Sequence, residues 1–200
     1  MPFQDLDPPE SRLHCDLVAY SPVCAALADD LISCWPNSRT PAALELDGAV
    51  LPQWLHSHAV QGWVLLLTAE AADAPVLDFN RWLVARHART LIVLARPDSL
   101  WALRRDDARV SPCVACLCSQ GEFLPRHAAT PSPSTRDSAQ SLSHWIGEQM
   151  AENQGGEHCA LHPVLAGPDA RTCQILQDPL CPGCSMHAVR PNHVYFTADS

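Results

Sequence analysis

The chain contains no lysine: all 13 of its basic residues are arginine. This excludes the phosphate-gripping lysine of a P-loop, a Schiff-base lysine and a lysine general base. Against the 13 arginines stand 22 acidic residues, a formal net charge of −9. The basic face that a nucleic-acid binder needs is therefore missing, and no nucleic-acid partner is expected. Glycine is also scarce. None of the 8 glycines precedes Gly48, so the first strand-to-helix turn, Tyr20-Ser21-Pro22-Val23-Cys24-Ala25, lacks the residues that let a backbone approach phosphate. Pro22 removes an N–H donor from the same turn. No ATP is expected there. Long apolar runs are absent as well: Trp63 to Thr68 is far too short to span a bilayer, and no membrane partner is expected. Met1 to Arg12 has neither the basic start nor the apolar stretch of an export signal, which points to the cytoplasm.

What the chain does have is cysteine, ten in all. In a reducing compartment they argue for metal rather than disulfides. Two pairs stand out, Cys113-Val114-Ala115-Cys116 and Cys181-Pro182-Gly183-Cys184. A C-x-x-C turn sets two sulfurs on one side of a tight loop, and two such turns complete a tetrahedron. Cys113, Cys116, Cys181 and Cys184 therefore read as the ligands of a four-thiolate Zn2+ site, structural because no position is left open. Pro112, Pro182 and Gly183 favour turns over helices at these knuckles. A thioredoxin-like redox pair is one alternative. It requires the motif at the start of a helix after a strand, and Pro112 and the third cysteine Cys118 fit it poorly. Ordinary buried cysteines are the other.

At 200 residues and 47 % hydrophobic content the chain can bury a core as one domain. Strands are expected over Leu13–Tyr20, Ala43–Leu46, Gly62–Thr68 and Thr90–Leu94. Helices are expected over Val23–Cys34, with Ser21 as cap and Pro22 in the first turn, over Leu51–Val60 and over Val76–His87. The continuous apolar run at Gly62–Thr68 suits a central parallel strand. The alternation gives an α/β class with a doubly wound layout. Beyond Arg96, Ser99 to Arg109 with its charged Arg104-Arg105-Asp106-Asp107 patch suggests short strands running toward the first knuckle. Ala128–Ser138 is rich in proline and serine and reads as a flexible excursion. Ala139–Asn153 is a helix, Cys159–Leu165 and Thr172–Leu176 a strand pair about Gly167-Pro168-Asp169, and Val194-Tyr195-Phe196 a last apolar stretch. Trp145 and Met150 on the Ala139–Asn153 helix suit either partner contact or the chain's own core.

Other chemistry-bearing residues carry weaker signals. His14 beside Cys15 reads as a structural neighbour, and His56 and His58 fall on different faces of a helix. Asp29-Asp30 suits a solvated helix face. His158 and His162 are spaced for a helix that Gly155-Gly156 and Pro163 argue against. Cys118 and Cys159 read as ordinary thiols, although Cys118 or Cys24 would be the nucleophile if the chain were a thiol-dependent enzyme.

Two stretches resemble the E1-like (ThiF-type) proteins that partner YcaO cyclodehydratases in making thiazole/oxazole-modified ribosomal peptides. The first runs through Val64-Leu65-Leu66-Leu67-Thr68, Leu77 to Val84 and Leu91-Ile92-Val93 to Ser111-Pro112-Cys113-Val114-Ala115-Cys116-Leu117. The second runs from His162-Pro163-Val164 to Asp178-Pro179-Leu180-Cys181-Pro182-Gly183-Cys184. The resemblance covers roughly half the chain, with the final Cys-Pro-x-Cys knuckle its most specific element. It implies a degenerate Rossmann-like sheet with a zinc-stapled C-terminal subregion: residues 1–12 a flexible lead-in, 13–98 the Rossmann-like half, and 99–200 the zinc-knuckle half with the excursion at 128–138. The chain departs from the family in lacking the ATP-site glycines, and it is expected to be without a fused YcaO domain or an N-terminal leader-binding domain, since few residues precede the first strand. The implied role is an accessory subunit without activity alone. It would meet a YcaO-like enzyme, a second E1-like chain or a precursor peptide, and an oligomer is expected. A stand-alone zinc-stabilised scaffold is the other reading.

Overall fold

The computed structural model describes residues 15–34, 44–45, 62–69, 71, 73–96, 99–106, 111–120, 135–151, 160–165, 171–181 and 183–184. The expected lead-in, the Leu51–Val60 helix, the Gly167-Pro168-Asp169 turn and the Val194–Phe196 stretch lie outside these residues. In chain order the elements are β1 (Cys15–Tyr20), α1 (Pro22–Cys34), β2 (Leu44–Glu45), β3 (Trp63–Thr68), α2 (Ala74–Ala85), β4 (Arg89–Arg96), β5 (Ser99–Arg105), α3 (Val114–Gln120), α4 (Thr135–Ala151), β6 (Ala160–Leu165) and β7 (Cys173–Gln174).

The strands form one mixed sheet of seven in the order β2-β1-β3-β4-β5-β6-β7. The first four run parallel, with Leu17 opposite Leu65 and Leu65 opposite Leu91. β3 lies inside this parallel part and is buried along its whole length, as its continuous apolar run requires. The doubly wound expectation stops at β4. Only two residues separate β4 from β5, too few for a crossover, so β5 returns antiparallel as a hairpin with Arg96 opposite Ser99. β6 and β7 continue antiparallel. The register of β5 against β6 slips between Leu100 and Trp101, where Pro163 faces Trp101. Proline cannot donate to a ladder and is tolerated at such an irregularity.

Side-chain alternation divides the core into two layers. Leu17, Leu65, Leu91 and Ala102 face α1 and α4. Val18, Leu66, Ile92 and Trp101 face α2 and α3. Helix α1 brings Cys24, Leu27, Ala28 and Leu31 to the first layer, a helical stripe. It packs against α4, which adds Leu142, Trp145, Ile146 and Met150. Trp145 and Met150 are thus core residues and present no partner-facing surface. Helix α4 starts at Thr135, inside the stretch read as a flexible excursion. The polar residues there, with Asp137 in the first turn, suit a helix N-terminus.

The Arg104-Arg105 patch is not a surface feature. It closes β5, where Arg105 is fully buried and Arg104 nearly so. Arg104 is satisfied by Asp106, at 2.8 and 3.2 Å, and by the Gln149 carbonyl in the last turn of α4, at 2.6 Å. Its guanidinium lies 5.2 Å from the centre of the Trp63 ring, and that of Arg89 lies 4.1 Å from it. A cation at the end of α4 also opposes the negative pole of the helix.

Among the described residues, two positions outside glycine hold positive φ. Ser21, at φ 96, caps α1 with its Oγ accepting from Cys24 N at 3.4 Å. His87, at φ 53, ends α2 in a Schellman arrangement: His87 N donates to Val84 O and Ala88 N to Leu83 O. Among the described residues no helix is long and apolar enough to cross a membrane.

Candidate metal centre

Cys113 sits immediately before α3, and Cys116 lies one turn in. Leu117 N donates to Cys113 O at 3.0 Å, the first bond of that turn. The expectation of a bare turn at this knuckle is therefore corrected. Pro112 precedes the helix instead of interrupting it, and such a position is compatible with helix initiation. Val114 and Leu117 anchor α3 in the second core layer, leaving Cys113 and Cys116 in a separate cluster with Val84 from the end of α2.

The second knuckle is shaped by its own turn. Asp178 accepts from Leu180 N through Oδ1, at 2.8 Å, and from Cys181 N through its carbonyl, at 3.0 Å. Gln120, at the end of α3, reaches across to the extended segment between β7 and this turn. Its amide donates to Leu176 O at 2.6 Å and accepts from Leu176 N at 3.1 Å, as a neighbouring strand would.

These elements bring Cys113, Cys116, Cys181 and Cys184 together, all buried, with their sulfurs within 4.8 Å of one another. Sulfur separations are 4.0 Å for Cys113–Cys116, 3.6 Å for Cys113–Cys181 and 3.5 Å for Cys116–Cys184. A disulfide would need about 2.05 Å, and all four cysteines are free. Four thiolates at about 2.3 Å from one tetrahedral ion stand about 3.8 Å apart. The observed separations bracket that value, so the donor set and its spacing fit a metal ion that prefers sulfur, such as zinc.

Charge makes the same point. Hydrogen bonding with Cys116 and Cys184 holds the Cys113 thiol well below its ordinary range. The same bonding with Cys113 pushes Cys116 and Cys184 up, and burial adds to it. Neighbouring thiols thus oppose one another's ionisation, and a divalent cation bound between the sulfurs would offset that repulsion. N–H groups are already directed at the sulfurs: Gly183 N lies 3.3 Å from Cys181 Sγ, and Gln177 Nε2 lies 3.6 Å from Cys184 Sγ. The redox alternative gains the helix start it requires, but the second pair crowds the first with two further sulfurs, an arrangement suited to an ion.

The other sequence candidates do not join this cluster. Cys24 is fully buried, and burial raises its pKa, opposite to what an attacking thiolate needs. Cys15 is buried too, its thiol pushed up to about 12. His162 lies in β6 beside Trp145, ring centres 6.4 Å apart. Asp29 is exposed on α1, and Asp106 pairs with Arg104 and Arg89. His14, His56, His58, His158 and Cys159, and the side chain of Cys118, lie outside the described residues. Sequence reasoning passed over Gln120, Gln177 and, above all, Asn80. The signal for Asn80 was available. It occupies the apolar stripe Val76, Phe79, Asn80, Leu83, Val84 of α2, whereas the apolar Leu77 is only half-buried.

No protein-family model and no curated protein matches the chain. Solved structures do. The structure of the heterocyclase TruD aligns with a TM-score of 0.51 at 14 % identity, over 87 % of this chain and 28 % of that one. A heterocyclase in complex with substrate and cofactor aligns with a TM-score of 0.52, again at 14 % identity, over 87 % of this chain and 26 % of that one. The chain thus spans about a quarter of the length of the heterocyclases it matches, and what it shares with them is the fold.

Proposed function

We propose that the chain is a zinc-containing, E1-like (ThiF-type) subunit of an azoline-forming, ribosomal peptide-modifying complex, without catalytic activity of its own. The observation that carries this reading is the fold likeness to heterocyclase chains, which runs over 87 % of the chain. The four-cysteine cluster supports it, because the E1-like resemblance rests on the two knuckles that supply those sulfurs. On this reading β2-β1-β3-β4 is a Rossmann-like half without its nucleotide, and β5 to β7 with the knuckles form the zinc half. Cys113, Cys116, Cys181 and Cys184 hold one structural Zn2+, whose four protein ligands leave no position for a substrate. The chemistry then belongs to a YcaO-like enzyme, with a second E1-like chain or the precursor peptide as further contacts.

Reconstitution tests the reading. The chain alone should leave a precursor peptide unchanged and give no heat of binding with ATP. Adding a YcaO-like enzyme and ATP should remove one water per ring formed, faster with the chain than without it. Elemental analysis should find about one zinc per chain. Cyclisation by the chain alone, or an enzyme indifferent to it, refutes the accessory role. Folded protein without zinc refutes the metal assignment.

A further inference from the structure

Asn80 is the one buried carboxamide in the apolar stripe of α2, and its two ends meet different parts of the sulfur cluster. It is wholly buried. Its Oδ1 accepts from Val114 N at 3.3 Å, capping the first turn of α3 from outside the helix. Its Nδ2 is buried without a hydrogen bond of ordinary geometry. That nitrogen and the Cys113 sulfur border the same point, the position a Cβ on Gly183 would take. A Cβ built there would stand 2.7 Å from Asn80 Nδ2 and 3.1 Å from Cys113 Sγ. One side chain thus touches the start of the first knuckle and the middle of the second. A buried N–H left over at a metal-ligand cluster is costly unless something receives it, and a thiolate drawn in by an ion can do so.

We propose that Asn80 is a positioning residue of the metal centre: its oxygen fixes the start of α3 and its amide N–H serves the Cys113 sulfur once that sulfur ligates metal. The inference rests on the metal reading above and adds a residue to it. Asn80 reaches the ion through Cys113 and Val114 and is not itself a ligand. In the metal-bound state its donor is satisfied, and the ligand sulfur gains a partner that orients it.

The test uses the full chain with zinc and, as a spectroscopic stand-in, cobalt(II). Zinc affinity is measured by chelator competition for the native chain, Asn80→Ala and Asn80→Asp. Asn80→Asp keeps an oxygen for Val114 N but loses the donor and adds charge of the wrong sign beside the thiolates. Both variants should bind zinc about 10- to 100-fold more weakly. Their cobalt thiolate charge-transfer bands should shift, which a loss of packing elsewhere would not cause. If Asn80→Ala fails to fold, Asn80→Asp decides alone. If neither folds, Asn80→His, which restores a donor, must recover the native cobalt spectrum; failure to do so overturns the proposal. Folded variants with affinity within about twofold of native and unshifted bands overturn it while leaving the metal reading intact. A native chain that takes up neither zinc nor cobalt overturns both.

Discussion

Replacing Gly183 by alanine separates steric demand from backbone freedom. Gly183 has an ordinary φ, so its lack of a side chain matters through space alone. An added Cβ would lie 2.7 Å from Asn80 Nδ2, 3.1 Å from the Ala115 Cβ and 3.1 Å from Cys113 Sγ. None of the three can give cheaply. Asn80 is tethered through Val114 N, Ala115 is on α3, and Cys113 is bound to the cluster. In a site with room, Gly→Ala would stabilise by roughly 0.4–1 kcal/mol through the unfolded chain. Overpacking costs about 1–3 kcal/mol and should win here. Taking the middle of each range, about 2 less about 0.7 kcal/mol, the net loss is about 1.3 kcal/mol and the zinc-loaded protein should lose about 3–5 °C of Tm. Urea unfolding of the zinc-loaded chain reads the same loss as a lower midpoint at unchanged slope. Combining Gly183→Ala with Asn80→Ala removes the worst contact, so the double variant should be more stable than the sum of the two single losses implies. A Gly183→Ala protein as stable as native, or more so, would mean that the second knuckle does not close onto Asn80 and Cys113 as described.

Two further outcomes follow from single positions. His87→Gly should stabilise the protein by about 0.5–1 kcal/mol, because the Schellman turn holds an exposed non-glycine residue at φ 53; thermal unfolding showing no gain would count against that turn. Cys15 has its thiol pushed up from 9.0 to about 12, first by burial and then by the charge of Asp16. A raised pKa means that the folded state keeps a proton the unfolded state gives up. The contribution is therefore complete below pH 9 and lost as pH climbs toward 12, at up to about 1.4 kcal/mol per unit. Urea unfolding of zinc-loaded protein between pH 8 and pH 11 should show this decline, with a shallower one in Cys15→Ala; equal slopes would refute it.

How much could be read ahead depended on whether a residue's partner was local. The β3 run announces a buried strand because six consecutive residues are apolar or small enough to bury, and each C-x-x-C pair announces two neighbouring sulfurs because the spacing is itself the geometry. The hairpin reversal at β5 was legible in principle from Arg96-Pro97-Asp98-Ser99, a turn-like string that leaves no length for a crossover. The charged end of β5 was not. Arg104 is buried where Trp63, Asp106 and the Gln149 carbonyl of α4 converge on it, and two of those three, Trp63 and Gln149, are distant in sequence. Gln120 is likewise silent: its amide becomes a strand mimic only when Leu176, 56 residues later, arrives beside it.

The position of the sulfur cluster also explains why a staple is needed at all. The parallel strands carry their own stability: β1, β3 and β4 are buried almost throughout and pair over their full lengths. The segment from Arg171 to Cys184 does not. Its strand, β7, is two residues long and pairs with β6 only at Ala160 and Leu161. Of its large apolar residues Ile175 is buried, but Leu176 and Leu180 are 70 % and 81 % exposed. Hydrophobic burial, at roughly 25 cal/mol per Å², therefore contributes little here. Besides Ile175, what fastens the segment is polar: the Gln120 clamp, the Asp178 turn and the sulfur cluster. Sulfur-bound zinc supplies folding energy where a core cannot. A metal held by four protein sulfurs at this point would have a closed shell and would act by fastening the two knuckles to each other and to the sheet.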